Sequence, residues 1–149
     1  PRVRKTHVET TFVVAGKAPV PRVQRLAENP GITVTGPVPD VRPYIAAATV
    51  YVIPLRMGGG TRFKMLEGMA LRRPIVSTTI GAEGFPVANG RELLLADSAD
   101  EQASAICSLI DDAQTRARLG MAGRAFVEAR YQWSAIVPRM QEVYQRTRG

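Results

Sequence analysis

The stretch Tyr51-Val-Ile-Pro-Leu-Arg-Met-Gly-Gly-Gly-Thr-Arg-Phe-Lys-Met-Leu-Glu-Gly-Met-Ala70 decides how the rest of the chain is read. It opens on a β-branched apolar run, crosses Gly58, Gly59 and Gly60, and continues with apolar residues at helical spacing. The pattern predicts a strand, a glycine turn and a helix. Glycines let a ligand approach the backbone closely, and the first N–H groups of a helix have no intrahelical partner. Arg62 and Lys64 place two cations where the helix dipole is already positive, an arrangement that favours a negative ligand. At about 100° per residue, Gly60, Thr61, Lys64, Glu67 and Gly68 share one side of the helix. Phe63, Met65, Leu66, Met69 and Ala70 share the other, which is expected to pack on a sheet. Lys64 and Glu67 then face open space, while Arg62, on the apolar arc, must either bend back around the helix start or reach out elsewhere. The plain alternative is an exposed Lys64–Glu67 pair contributing about 0.2–0.5 kcal/mol and nothing else.

On either side of this stretch, strand and helix patterns alternate. Thr10-Thr-Phe-Val-Val-Ala15, stopping at Gly16-Lys17, predicts a central parallel strand. Residues 19–29 predict a short helix, and Ile32-Thr-Val-Thr35 a strand broken by Gly36-Pro37. Asp40 is placed to cap a helix over residues 41–48, followed by a strand at Thr49-Val-Tyr-Val-Ile53. Pro74-Ile-Val-Ser-Thr78 and Leu93-Leu-Leu95 complete the strands, with Gly81-Ala-Glu83-Gly84 as a loop between them. The expected fold is α/β, a Rossmann-like parallel sheet with helices on both faces, and such sheets bind ligands beyond the carboxyl ends of their strands. The loops at Gly16, Gly36, Gly58 to Gly60 and Gly81 all follow strands and are expected at one rim. Glu83 in its glycine-flanked loop either reaches a ligand or is a solvated turn residue, and both readings stand. From Ser98 onward the pattern is helical, over 99–109, 114–130 and 134–146, with Gly120 and Gly123 as weak points in the second.

With 149 residues the chain forms one domain. No apolar run approaches the ~20 residues of a membrane helix. The net charge is +7, with Arg2, Arg4 and Lys5 at one end and Arg146 and Arg148 at the other. No aromatic-rich basic motif accompanies it, so nucleic acid is not an expected partner. A solvated basic surface and a patch facing an anionic membrane are both compatible with the charge. Cys107 in an apolar helical stretch reads as core, and His7 as part of a frayed N-terminal segment without a catalytic role. The chain shows no signal peptide and does not begin with Met, so a fragment is expected.

Gly58-Gly-Gly-Thr-Arg-Phe-Lys-Met-Leu-Glu67-Gly-Met-Ala70, with Arg72-Arg-Pro-Ile-Val-Ser-Thr78 and Ile80-Gly-Ala-Glu83-Gly84, resembles a known family. It is similar to the donor-binding half of group 1 (family 4) retaining glycosyltransferases, over about residues 10–133. The resemblance implies the C-terminal half of a GT-B glycosyltransferase. Residues 1–149 would form the nucleotide-sugar domain of a two-domain enzyme. The segment 133–149, opened by Trp133, would be the final helix that crosses back to an absent N-terminal acceptor-binding domain. Two glutamates mark the donor site in that family. Glu67 stands at the second, implying contact with ribose hydroxyls, and Gly59 replaces the first, which contacts the sugar ring elsewhere.

The resemblance further implies a nucleobase held mainly by backbone near Val38 and a diphosphate held between Gly58 and Lys64. The implied substrate-binding residues are therefore Val38, Gly58, Gly59, Gly60, Thr61, Arg62, Lys64, Glu67 and Glu83. No cofactor is implied, and neither an Asp-x-Asp nor a His and carboxylate cluster suited to Mg²⁺ or Mn²⁺ occurs in the sequence. The implied activity is transfer of a glycosyl group from a nucleotide-diphosphate sugar with retention, inactive in the isolated domain. Fixed N–H groups, Arg62 and Lys64 would stabilise the leaving group, with no protein nucleophile. The implied location is cytoplasmic or peripheral at the inner face of a membrane. Two other readings keep the nucleotide: a non-catalytic binding module, and a GT-B-like epimerase, which would need acid/base residues that the sequence does not offer.

Overall fold

The computed structural model describes residues 1–58 and 60–147, so Gly59, Arg148 and Gly149 lie outside the described residues. Among the described residues, five strands and seven α-helices follow the expected α/β order, strands and helices alternating up to β5 and three helices closing the chain, and every ladder is parallel. The strands β1 (Phe12–Ala15) and β2 (Ile32–Gly36) pair with Phe12 opposite Ile32, with a register slip after Val14. They are joined through α1 (Pro21–Gln24) and a 3₁₀ turn at Arg25–Glu28. The helix α2 (Arg42–Ala47) leads to β3 (Tyr51–Ile53). A second sheet then orders β3, β4 (Ile75–Ser77) and β5 (Leu94–Leu95), with Tyr51 opposite Ile75 and Val76 opposite Leu94.

The strand expected to be central is therefore an edge. β1 hydrogen-bonds to β2 alone in a sheet of two, and Phe12 and Val13 are exposed. Local sequence marks both segments as strands, but adjacency in a sheet depends on long-range pairing that no local pattern encodes.

The sheet of three carries the core on both faces. Neighbouring residues of one strand point to opposite sides, and Ile75 and Val76 accordingly fall into different clusters. Ile75 packs with Ile53, Met65, Met69, Leu93 and Phe126, drawing in α3 (Phe63–Ala70) and α6 (Ala113–Tyr131). Val76 packs with Ala96, Leu109 and Leu119, drawing in α5 (Ala99–Asp111). The aromatic rings of Phe85 and Tyr131 meet edge to face at 5.6 Å and close the first cluster.

Gly120 and Gly123 do not weaken α6, which runs unbroken through them. Both are buried, and a Cβ at Gly120 would stand 2.3 Å from the Arg72 carbonyl oxygen, so the glycine permits a close helix-to-backbone approach. The N-terminal segment is not frayed either. Val3–Lys5 forms a 3₁₀ turn, Arg2 donates to Asp100, and the His7 ring nitrogen Nε2 lies 2.9 Å from Asp111, so the segment is tied to α5. Cys107 is half-buried beneath it, 3.6 Å from the Thr6 hydroxyl. The last helix, α7 (Trp133–Arg146), contains Pro138 and has no buried residue, with Trp133 76% exposed. No described helix is long and apolar enough to cross a membrane.

Carboxylates at helix starts give the fold a pH dependence. Asp97 accepts the Thr79 N–H and hydroxyl, Glu101 accepts the N–H groups of Ser98 and Asp97, and Asp112 accepts the Thr115 N–H and hydroxyl. These bonds, the backbone donors first, hold all three below the usual carboxylate range. A carboxylate with a depressed folded pKa stabilises the fold fully above its unfolded pKa, about 4, and that stability is lost as pH falls through the folded value. Thermal unfolding across a pH series is expected to give a melting temperature that falls on the acid side of about pH 4. Asp97→Asn should flatten part of that fall, and an unchanged profile would remove Asp97 from the account.

Candidate donor-binding site

The strand β3 ends at Ile53 and the chain turns out through Pro54 to Met57 into the glycines. Gly58 (φ +135°) and Gly60 (φ +84°) both occupy the left-handed region that side chains rarely adopt. Gly58 and Gly60 stand in the open. A Cβ at Gly60 would meet nothing within 4 Å, and at Gly58 only the Arg62 guanidinium at 3.8 Å. Thr61 is exposed, and Gly59 is the one predicted site residue outside the described residues.

Helix α3 begins at Phe63, two residues later than a wheel drawn from Thr61 assumes, and Arg62 is its N-cap without a side-chain cap bond. The buried positions are Met65, Gly68 and Met69. Phe63 is 67% exposed rather than packed on the sheet. Gly68 is also displaced from the expected open side: a Cβ there would stand 2.6 Å from the Tyr51 ring, so this glycine lets α3 close onto β3. Lys64 and Glu67 are exposed, as their spacing predicts.

Arg62 bends back further than the sequence suggests. It is 6% exposed, and its Nη2 and Nη1 donate to the carbonyls of Gly58 (2.7 Å) and Gly60 (3.1 Å). The Glu83 carboxylate, 73% exposed, lies 3.7 Å from the same Nη2. Glu83 caps the C-terminus of a short helix, α4 (Thr79–Ala82), where the sequence predicts only a loop. The structure thus brings Gly58, Gly60, Arg62 and Glu83 together from the ends of β3 and β4.

The charge of Glu67 is felt at the helix start that follows the β2 loop. Asp40 accepts from the Arg42 backbone N–H and Nε, and this bond lowers the Asp40 pKa and raises that of Arg42. The charge of Glu67 raises Arg42 further, and it adds to the effect of burial in pushing the Tyr51 phenol up. Glu67 is therefore close enough to the start of α2 to interact with its cation. Val38, half-buried, lies two residues before Asp40 in that same loop. Arg42 escapes a reading of the sequence, because nothing in Asp40-Val-Arg-Pro43 announces a neighbour twenty-five residues away.

The family model for glycosyl transferases group 1 matches residues 1–112. The chain belongs to that family. Among curated relatives, this group 1 chain is 31% identical over 108 residues to a protein of Corynebacterium glutamicum. That relative is named a GDP-mannose-dependent monoacylated alpha-(1-6)-phosphatidylinositol monomannoside mannosyltransferase. The match covers 68% of this chain and 28% of the relative, so the chain spans under a third of the relative's length. Two solved structures share the fold. The C-terminal domain of the group 1 family protein LpcC from Francisella tularensis superposes with a TM-score of 0.73 at 22% identity, covering 88% of this chain and 74% of that one. Alr3699/HepE from Anabaena, in complex with UDP, gives 0.78 at 17% identity, covering 97% of this chain and 46% of that one.

Beside the glycine loop this group 1 domain carries a recess of about 330 Å³ lined by Leu55, Arg56, Thr78, Thr79, Ile80 and Asp97. Its lining comes from the carboxyl ends of β3, β4 and β5, the rim where an α/β sheet binds ligands. Sequence reasoning missed it because Arg56 and Asp97 belong to no motif. A larger groove of about 570 Å³ runs along α7 between residues such as Tyr131, Met140 and Tyr144. Its lining is mainly apolar, with Arg130 and Arg139 among it.

Proposed function

We propose that this chain binds the nucleotide-diphosphate sugar donor of a glycosyltransferase and supports transfer of the glycosyl group with retention. The observation that carries the reading is the open glycine loop feeding a helix whose exposed side bears Lys64 and Glu67. A diphosphate beside that loop accepts N–H groups from the helix start, with Lys64 adding charge. Glu67, farther along the same side, accepts from ribose hydroxyls, and the base lies toward Val38 in the neighbouring loop. As the glycosidic bond breaks, charge grows on the β-phosphate, and donors already fixed in place stabilise it without reorganising.

The family membership supports the reaction class. The relative's GDP-mannose dependence and the UDP complex of HepE support a nucleoside diphosphate in general, with mannose and other hexoses as candidate sugars. The acceptor belongs to a separate N-terminal domain in this reading. The net charge of +7 suits work beside an anionic membrane, consistent with the lipid-linked mannoside in the relative's name.

A panel of UDP, GDP, CDP and ADP with their sugars, followed by thermal shift and calorimetry, tests the proposal. At about 100 times Kd the matching ligand is expected to stabilise the fold by about 2.7 kcal/mol. A panel in which no diphosphate shifts the transition would overturn it.

A further inference from the structure

We infer that Arg62 acts as a positioning residue that aims the glycine loop, and that it is not itself a phosphate ligand. The inference deepens the donor-site reading and rests on it for the identity of the ligand. A phosphate-binding arginine is expected to hold its guanidinium in the open. Here the group is 6% exposed, under the loop, with Nη2 on the Gly58 carbonyl at 2.7 Å and Nη1 on the Gly60 carbonyl at 3.1 Å. The Gly60 carbonyl, turned toward this planar fork, fixes the orientation of the Gly60–Thr61 peptide unit.

A trans peptide directs its C=O and the following N–H in opposite directions, and none of the described peptides is cis. Holding the Gly60 carbonyl on Arg62 therefore turns the Thr61 N–H away from the Arg62 guanidinium. Gly58 and Gly60 both adopt left-handed φ values that a residue with a side chain would resist. Buried positive charge is costly unless compensated. The carbonyls and Glu83, 3.7 Å from Nη2, supply that compensation and tie the end of α4 to the loop. Arginine is required because lysine, a point charge on a flexible stem, does not hold two carbonyls in a fixed plane.

Arg62→Lys and Arg62→Met distinguish aiming from direct contact. With the diphosphate identified in the panel as probe, both variants are expected to lose affinity by about tenfold or more, lysine failing to rescue. In the ligand-free chain, amide exchange at Gly60, Thr61 and Arg62 should accelerate in both Arg62 variants while the core amides of β3 and β4 stay protected. If Arg62→Met fails to fold, the lysine variant carries both measurements. Near wild-type affinity in Arg62→Lys, or unchanged loop exchange, would overturn the inference. A wild-type chain that binds no diphosphate would overturn the donor reading instead, and the exchange measurement would still decide the role of Arg62.

Discussion

Glu67→Ala is expected to weaken nucleoside-diphosphate binding by about 1.5–3 kcal/mol, the range for a hydrogen bond to a charged group. In Kd this is roughly ten- to a hundredfold. The side chain is exposed on α3 and interacts with Arg42 at the start of α2, so its removal leaves the core of Met65 and Met69 intact. Because the proposed contact is to ribose, the same loss should appear with the free nucleoside. Lys64→Met should behave differently, weakening the diphosphate while sparing the nucleoside. Calorimetry on the two variants with both ligands checks the pattern, and an unchanged Kd in Glu67→Ala would return Glu67 to a solvated surface charge.

Gly120→Ala should destabilise the fold even though alanine is the better helix former. Propensity favours the change by about 1 kcal/mol. Against it, the new Cβ would lie 2.3 Å from the carbonyl oxygen of Arg72, a backbone atom that cannot swing aside. Overpacking of that kind costs up to about 3 kcal/mol, leaving a net loss near ~2 kcal/mol and a melting temperature lowered by roughly 4–8 °C. Thermal melts of the two proteins compare directly. A variant that melts at or above the wild-type temperature would show that α6 can move off Arg72 at little cost.

The alternation of strand and helix was legible because apolar β-branched runs and glycine breaks are local signals, and all five strands form at the expected places. Lys64 and Glu67 were legible for the same reason, since helical spacing alone sets their side. What escaped involves distances along the chain. Gly68 reads as part of the open side and Gly120 as a weak helix position until the Tyr51 ring and the Arg72 carbonyl are set beside them. The wheel puts Phe63 with Met65 and Met69, but as the first residue of α3 it is left largely exposed. Arg62 has the sequence signature of an anion ligand and the surroundings of a buried brace. Charge in a motif does not reveal which way a long side chain turns.

The separation of the two sheets has a consequence for how the molecule breathes. Among the described strands, β1 pairs only with β2 and β3 only with β4, so each keeps one row of amides without a ladder partner. The fully buried clusters sit on the sheet of three, and none gathers around β1 and β2. Openings that expose β1 and β2 therefore need less free energy than those that expose β4, and the Val38 loop, which follows β2 directly, belongs to the softer half. A base lodged there would stiffen a region that the glycine loop on its own does not reach.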